Sequence, residues 1–376
     1  MQTKIQLSCG SLCLDIRRAE LPLDELLGFA TRSNPKRGFL FVSKVLGKHW
    51  PCKPTKMRLI YDLLAQKIQS STVQTLVLGM AETATGLGAG VADSLVRLGD
   101  DKVISQQTTR HELPLETLIT FDEVHSHAPD QLLYPPLPHL APSYFKTERM
   151  VLVDDEMTSG RTLKELAVAL LKRFEQTPQS SVNVIGEMVF VSIVSWLSEA
   201  QKLHLQALIP VPLRFESLLE GEFEFERNLD FKPSLPGQVS AKTKANAPRD
   251  DLGRRGLRLT MNEHSFDLTH LQLDPRRPVS VIGTGEFTFH PFLLAEKLSA
   301  QGFDVLYQST TRSPILLGGA IQQSLTISDE HGEGVTNYLH NPPSSDRQVI
   351  VAYESSICEQ THHLSSLISP IAWIHP

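Results

Sequence analysis

The chain has 376 residues, enough for two or three domains and a sizeable core. A net charge of −6 and a pI near 6.2 argue against general attraction to nucleic acid. Apolar runs such as 188–196 are too short to span a bilayer, and the N-terminal stretch lacks a signal-peptide pattern. Cys9, Cys13, Cys52 and Cys358 are few and scattered, as in a reduced, cytoplasmic protein, and Cys9 with Cys13 lacks the second ligand pair of a metal site.

From Leu26 to Tyr61 there is no acidic residue, while Arg32, Lys36, Arg37, Lys44, Lys48, Lys53, Lys56 and Arg58 fall in that span. Two readings stand side by side: a solvated basic face, or a hood of cations over a polyphosphate or an anionic acceptor. Next comes a predicted central strand, 75–78, followed by Gly79-Met-Ala-Glu-Thr-Ala-Thr-Gly86. Gly79 suits a tight turn, and Thr83 and Thr85 offer hydroxyl and N–H groups. Glu82 either works beside a bound Mg²⁺, meets a cationic acceptor, or caps a helix as a dipole-favoured acid. A second strand, 102–107, ends in Thr108, Thr109 and Arg110, which places Arg110 as a clamp for an anion. The segment 111–146 is long, rich in proline, and holds Glu123, His125 and His127. For His125 and His127 the readings, in order, are a loop acid/base or anion contact, an inert surface pair, and a zinc ligand pair.

The stretch Arg149-Met-Val-Leu-Val-Asp-Asp-Glu-Met-Thr-Ser-Gly-Arg-Thr162 is the most specific in the chain. It predicts a buried parallel strand over 150–153, then two acids, then a small polar loop, then a helix from about Thr162. Ligands of parallel sheets bind at the carboxyl ends of strands, where Asp154 and Asp155 stand. Adjacent carboxylates accept hydrogen bonds from a vicinal diol. Thr158, Ser159, Gly160, Arg161 and Thr162 put hydroxyls and amides at a helix N-terminus, which favours an anion. A diol and a phosphate one loop apart describe a ribose 5-phosphate. No Gly-x-x-x-x-Gly-Lys-Ser/Thr string occurs, so a phosphate-loop ATPase is disfavoured.

A late strand is predicted over 182–196, after which Phe215, Phe223 and Phe225 either stack on a flat base or belong to the core. The stretch 229–255 is rich in Pro, Lys, Ala and Asp and reads as a linker. Beyond it the chain repeats itself. Leu76-Val-Leu-Gly-Met-Ala-Glu82 matches Ser280-Val-Ile-Gly-Thr-Gly-Glu286, and Gln106–Arg110 matches Gln308–Arg312. Asp122-Glu123 matches Asp329-Glu330, with the same spacing to Pro135-Pro136 and Pro342-Pro343, and 149–153 matches 347–351. Ordered blocks of this kind predict duplication of one α/β unit. The chemistry is not kept: Asp154-Asp155 becomes Ala352-Tyr353, and Glu359 falls where it would oppose a phosphate. Glu286, Arg312 and Glu330 survive, as a separate site or as structural remnants.

The 149–162 stretch resembles the 5-phosphoribosyl-1-pyrophosphate (PRPP) signature of type I phosphoribosyltransferases. With Thr311-Arg312-Ser313-Pro314 inside GTGEFTFHPFLLAEKL…QSTTRSP, and with NPKRGFLFVSKVLGKHWP and GMAETATGLG, the chain resembles the phosphoribosyltransferases associated with bacterial tellurium-resistance (Ter) stress gene clusters. With the internal repeat, that resemblance predicts two tandem doubly wound α/β domains, the second degenerate. They would be a phosphoribosyltransferase domain (1–228), a linker (229–256) and a TRSP domain (257–376). It implies a cytoplasmic enzyme of a nucleoside-like pathway that displaces pyrophosphate from C1 of PRPP with a base-like acceptor. The 5-phosphate would lie on Thr158 to Thr162, the ribose on Asp154 and Asp155, and the pyrophosphate on Gly79, Ala81, Glu82, Thr83, Ala84 and Thr85 with Arg110. The 111–146 segment, with Glu123, His125 and His127, would close over PRPP. Mg²⁺ would be held mainly by PRPP, and a homodimer is compatible with the resemblance. Arg161 stands where glycine is common, and Glu156 should point away from the phosphate. The competing readings are a non-catalytic PRPP-binding regulator and a diphosphokinase that makes PRPP.

Overall fold

The computed structural model describes residues 2–32, 37–121, 131–177, 185–232, 248–259 and 271–374. Its centre is a parallel sheet in the spatial order Val103–Gln107, Thr75–Gly79, Arg149–Val153, Glu187–Ser195, Leu213–Arg227. Every residue of the first three strands is buried, as expected where helices cover both faces of a sheet. In chain order these strands run 2-1-3-4-5. The order reverses between Thr75–Gly79 and Arg149–Val153, so the ligand crevice of such a fold falls at their carboxyl ends. The strands predicted at 75–78, 102–107 and 150–153 form within a residue of the expected bounds; that expected over 182–196 spans Glu187–Ser195, with 182–184 outside the described residues, and the helix expected from about Thr162 spans Arg161–Glu175. The architecture is the mixed α/β type expected, with a large, mostly parallel sheet.

The N-terminal hairpin was not foreseen. Gln2–Leu7 pairs with Gly10–Ala19, which joins the long Leu213–Arg227 strand antiparallel and widens the sheet. At the opposite edge Leu257–Arg258, the first residues of the expected second domain, pair antiparallel with Val103–Gln107, so the chain is built onto the first sheet directly after the expected linker. Arg254 is 1% exposed.

A second, four-stranded sheet runs Val305–Ser309, Val279–Gly283, Gln348–Ala352, Ala372–Ile374, all parallel. Its chain order, 2-1-3-4, is that of the first four parallel strands of the large sheet. The two sheets share one continuous core. Helix Phe289–Ala300 lies against Pro54–Ile68 and Thr85–Arg97, with the Tyr61 and Phe292 rings edge to face at 5.1 Å. Gly86 permits the approach, since a Cβ there would stand 2.8 Å from Thr288 Oγ1. Among the described residues no helix is long and apolar enough to cross a membrane.

Candidate active site

Two loops leave the fork in the large sheet. Met80 N donates to Val153 O at 2.9 Å and ties their roots together. The first loop to consider is 154–160. Asp154 and Asp155 are half-buried, and Asp154 Oδ1 accepts the Asp155 N–H at 2.9 Å. Burial, reinforced by neighbouring Glu156, pushes the Asp155 carboxyl up to about 6 against the opposing hydrogen bond with Asp154 and the Arg37 charge. Glu156-Met157 then pairs with Val194-Ser195, and Glu156 binds Arg37 at 2.6 Å. The Arg37 guanidinium lies over Phe39, 4.7 Å from the ring centroid. One cation of the acid-free segment therefore reaches the acid cluster.

Gly160 sits at φ +64° as the N-cap of Arg161–Glu175, where a side chain is strained and a Cβ would meet Leu205 Cδ1 at 2.7 Å. Gly160 offers no side chain to cap that 15-residue helix, and Arg161 N donates to Ser159 Oγ at 3.4 Å; Ser159 and Arg161 are exposed, Thr158 and Thr162 half-exposed. Gly160→Ala is expected to lower stability by about 1–2 kcal/mol from the left-handed backbone alone, with more from the Leu205 contact, as a drop in the calorimetric Tm.

The second loop, 79–86, departs from expectation in three respects. Gly79 does not serve a left-handed turn. A Cβ there would lie 2.5 Å from Ala84 O and 3.3 Å from Gly88 Cα, so its role is close packing of strand on helix. The Thr85 hydroxyl faces Thr288 of the second sheet's domain at 2.9 Å. Glu82 forms an ion pair with Lys48 at 2.6 Å and accepts the Arg312 N–H at 3.3 Å. Burial raises the Glu82 carboxyl, but Lys48 and Arg312 more than reverse this, and it lies below the usual range. Its carboxylate is an interdomain anchor, for which a loop read from sequence alone gives no sign. Ala81 N donates to Thr108 Oγ1 at 2.8 Å, so the Thr108–Arg110 tail lies alongside the loop as expected. Thr83 is half-exposed and Ala84 is buried.

The surviving residues of the repeat meet here. Gly285 N donates to Thr310 Oγ1 at 2.9 Å, the counterpart of the Ala81–Thr108 bond. Across the interface the contacts are reciprocal: Arg110 N donates to Glu286 Oε1 at 2.8 Å, as Arg312 N does to Glu82. Glu82, Arg110, His111, Glu286, Arg312 and Glu330 line one narrow cleft. Arg254 binds Glu286 at 3.1 Å and Glu354 at 2.7 Å, with all three side chains 2% exposed. Burial raises the Glu286 carboxyl, but His111, Arg254 and the Thr109 and Arg110 donors bring it to about 2.

Among the described residues of the acid-free segment, several cations are paired within the fold, while Lys53 is exposed. Arg58 binds Asp93 and Glu296, Lys48 binds Glu82 and Gly285 O, and Lys56 binds Glu25. Its partners come from distant parts of the chain, which a local count of charge does not show. Phe223 and Phe225 pack on Phe39 at 5.4 and 4.6 Å, and Phe215 packs on Phe190 at 5.7 Å. They belong to packed aromatic clusters. Glu123, His125 and His127 lie outside the described residues. Sequence reading missed Lys48, Arg254 and the specific place of Arg37. Lys48 and Arg37 carried only the charge-run signal, and Arg254 sits in a stretch whose composition reads as a linker.

Residues 26–222 match a family model described as phosphoribosyl transferase, and residues 253–370 match one described as TRSP domain C terminus to PRTase_2. No curated protein matches. Among solved structures, the chain is similar to adenine phosphoribosyl transferase from Trypanosoma brucei, with 12% identity and a TM-score of 0.35 over 52% of this chain and 77% of that one. It is also similar to the adenine phosphoribosyltransferases of Saccharomyces cerevisiae (16% identity, TM-score 0.31, 52% of this chain and 96% of that one) and Leishmania donovani (16%, 0.31, 52% and 77%). The loop after Arg149–Val153 and the family model, which spans more than half of the chain, agree: the chain belongs to the phosphoribosyl transferase family and is a phosphoribosyltransferase.

Proposed function

We propose that the chain transfers the phosphoribosyl group of PRPP to a base-like nitrogenous acceptor and releases pyrophosphate. One observation carries this reading: paired, half-buried carboxylates and a helix N-terminus flanked by exposed Ser159 and Arg161 share one loop at the sheet's switch point, with the 79–86 loop tied beside it. Asp154 and Asp155 accept the ribose hydroxyls. The amides and hydroxyls of Thr158, Ser159, Gly160, Arg161 and Thr162 hold the 5-phosphate. Backbone groups of 79–85 and the half-exposed Thr83 hydroxyl, with Arg110, hold the pyrophosphate, while Glu82 and Thr85 keep the loop anchored to the second domain. As C1–O cleavage develops cationic ribosyl character, the fixed donors stabilise the departing pyrophosphate and the carboxylates the sugar. A Mg²⁺ ion would be held mainly by the PRPP oxygens, and the half-exposed Asp154 and Asp155 offer hard oxygen donors suited to it.

The second domain is, in this reading, a duplicated copy that has lost ribose binding. The repeated strand order, the paired glutamates and the buried Tyr353 in place of an aspartate support it. The setting proposed is a cytoplasmic, Ter-associated route to a nucleoside-like metabolite, which rests on the sequence resemblance around Thr311-Arg312-Ser313-Pro314. Phosphorus NMR tests the activity. PRPP consumed only with an acceptor, with pyrophosphate appearing, is the expected result. PRPP bound without turnover supports a regulator, and PRPP formed from ATP and ribose 5-phosphate supports a diphosphokinase.

A pH profile tests the role of Asp155. A protonated acid cannot serve as a full acceptor, so kcat/KM for PRPP should fall by about tenfold per pH unit below about 6. Asp155→Asn should remove that limb. The sign for stability is opposite: a carboxyl raised from 3.8 stabilises the fold at low pH, and that contribution is lost as pH rises through about 6.

A further inference from the structure

The second sheet has its own fork, between Val279–Gly283 and Gln348–Ala352, and the chain has filled it with metal-ligating side chains. Glu330 and His331 follow the Ser324–Ile327 strand, Glu354 follows Gln348–Ala352, and Cys358 lies in the Ser356–Thr361 helix. Their exposures are 3%, 0%, 1% and 1%. Glu354 Oε1 and Glu330 Oε1 stand 3.4 and 3.6 Å from His331 Nε2. Cys358 Sγ is 3.8 Å from His331 Nδ1. One ligand atom from each of His331, Glu354 and Cys358 lies within 4.8 Å of the other two.

This grouping is costly as it stands. Buried polar atoms almost always have partners. Yet His331 Nε2 and Glu330 Oε2 have no hydrogen-bond partner among the described residues. The positive charge in contact is Arg254, which holds Glu354 Oε2 at 2.7 Å, while Glu354 Oε1 also accepts the Arg249 N–H at 3.1 Å. Of the two carboxylates beside His331, Arg254 forms an ion pair with Glu354 among the described residues, and the same guanidinium also serves Glu286.

We propose that His331, Glu354 and Cys358, with Glu330 as fourth ligand, form a binding site for a zinc-class divalent ion. Thiolate, imidazole and carboxylate together suit zinc, whereas magnesium takes oxygen ligands almost alone. Metal–ligand bonds of about 2.0–2.3 Å set tetrahedral edges of roughly 3.3–3.7 Å. The Nε2 contacts to Glu354 and Glu330, at 3.4 and 3.6 Å, match such edges, whereas Cys358 Sγ faces Nδ1 at 3.8 Å and must rotate toward the carboxylate side of the ring to reach an ion on Nε2. The imidazole then binds through Nε2, the nitrogen that lacks a partner. Binding displaces the Cys358 thiol proton to solvent. One thiolate and two carboxylates then exceed the dication by one negative charge, which Arg254, shared with Glu286, offsets in part. The site is separate from the 154–162 loop and does not depend on PRPP binding there.

The competing structure is a dry hydrogen-bonded knot, in which the Cys358 S–H donates to Nδ1 and the Nε2–H is shared between carboxylates. Metal analysis of the full chain distinguishes the two. After chelator treatment and dialysis, the chain should take up one equivalent of zinc. Cobalt should give a thiolate-to-metal charge-transfer band and tetrahedral ligand-field absorption. Cys358→Ser should abolish the band and weaken zinc binding by more than about 100-fold, beyond the 10–100-fold loss typical of an outer-shell partner, with circular dichroism confirming the fold. Absence of stoichiometric uptake, or a band that persists in Cys358→Ser, overturns the proposal. Should that variant fail to fold, the wild-type cobalt spectrum decides alone: no thiolate band, no site.

Discussion

Asp154→Asn with Asp155→Asn is expected to lower kcat/KM for PRPP by about 10²- to 10⁴-fold. Each carboxylate supplies a charge-assisted hydrogen bond to a ribose hydroxyl, worth about 1.5–3 kcal/mol, and each 1.36 kcal/mol is a factor of ten. Asparagine keeps the shape of both side chains, so the fold should persist. Asp154 would still accept the Asp155 N–H through its amide oxygen. Steady-state kinetics separate two contributions. If the carboxylates mainly position the ground-state ribose, KM rises with little change in kcat. If they mainly stabilise the developing ribosyl cation, kcat falls. A double variant within threefold of wild type would show that the acids do not touch the sugar.

The second large effect concerns stability. Arg254→Met should destabilise the fold by about 3–5 kcal/mol, because it leaves Glu286 and Glu354 buried without their cation. At roughly 1–2 °C per kcal/mol for a 376-residue chain that unfolds as one unit, this is a fall in Tm of about 3–10 °C by calorimetry. The scan belongs in chelator, so that no metal at Glu354 contributes. Neutralising the acids as well, with Glu286→Gln and Glu354→Gln, should restore much of the loss, since the penalty comes from orphaned charge more than from lost attraction. An Arg254→Met Tm within 2 °C of wild type at matched pH would contradict this account of the cluster.

The parallel strands were legible because burial on both faces forces near-continuous apolar runs, as in Thr75–Gly79 and Arg149–Val153. The 154–162 loop was legible because its chemistry and its turn are both local: Gly160 is needed where the chain enters the helix. The roles of Glu82 and Lys48 were not legible. Their ion pair forms across 34 positions of sequence, and the Arg312 N–H that completes it comes from the second domain. The same holds for Arg254, whose partners Glu286 and Glu354 lie 32 and 100 residues away. Long-range pairs leave no period and no spacing. Gly79 illustrates a different limit: the residue type was correctly singled out, but glycine answers equally to a turn and to a close approach, and here packing against Ala84 and Gly88 decides.

The reciprocal Arg110–Glu286 and Arg312–Glu82 contacts give the interface the form of an isologous dimer within one chain. Glu82 joins the loop beside the proposed sugar site to the second domain, so changes at Arg312 should be felt at the first domain's loop.

The most direct test is a crystal of the full chain soaked with magnesium and PRPP. The account predicts the 5-phosphate on the amides of 159–162 and the ribose hydroxyls on Asp154 and Asp155. PRPP lodged instead in the second fork or the interdomain cleft, with the 154–162 loop bare at saturating ligand, would contradict it.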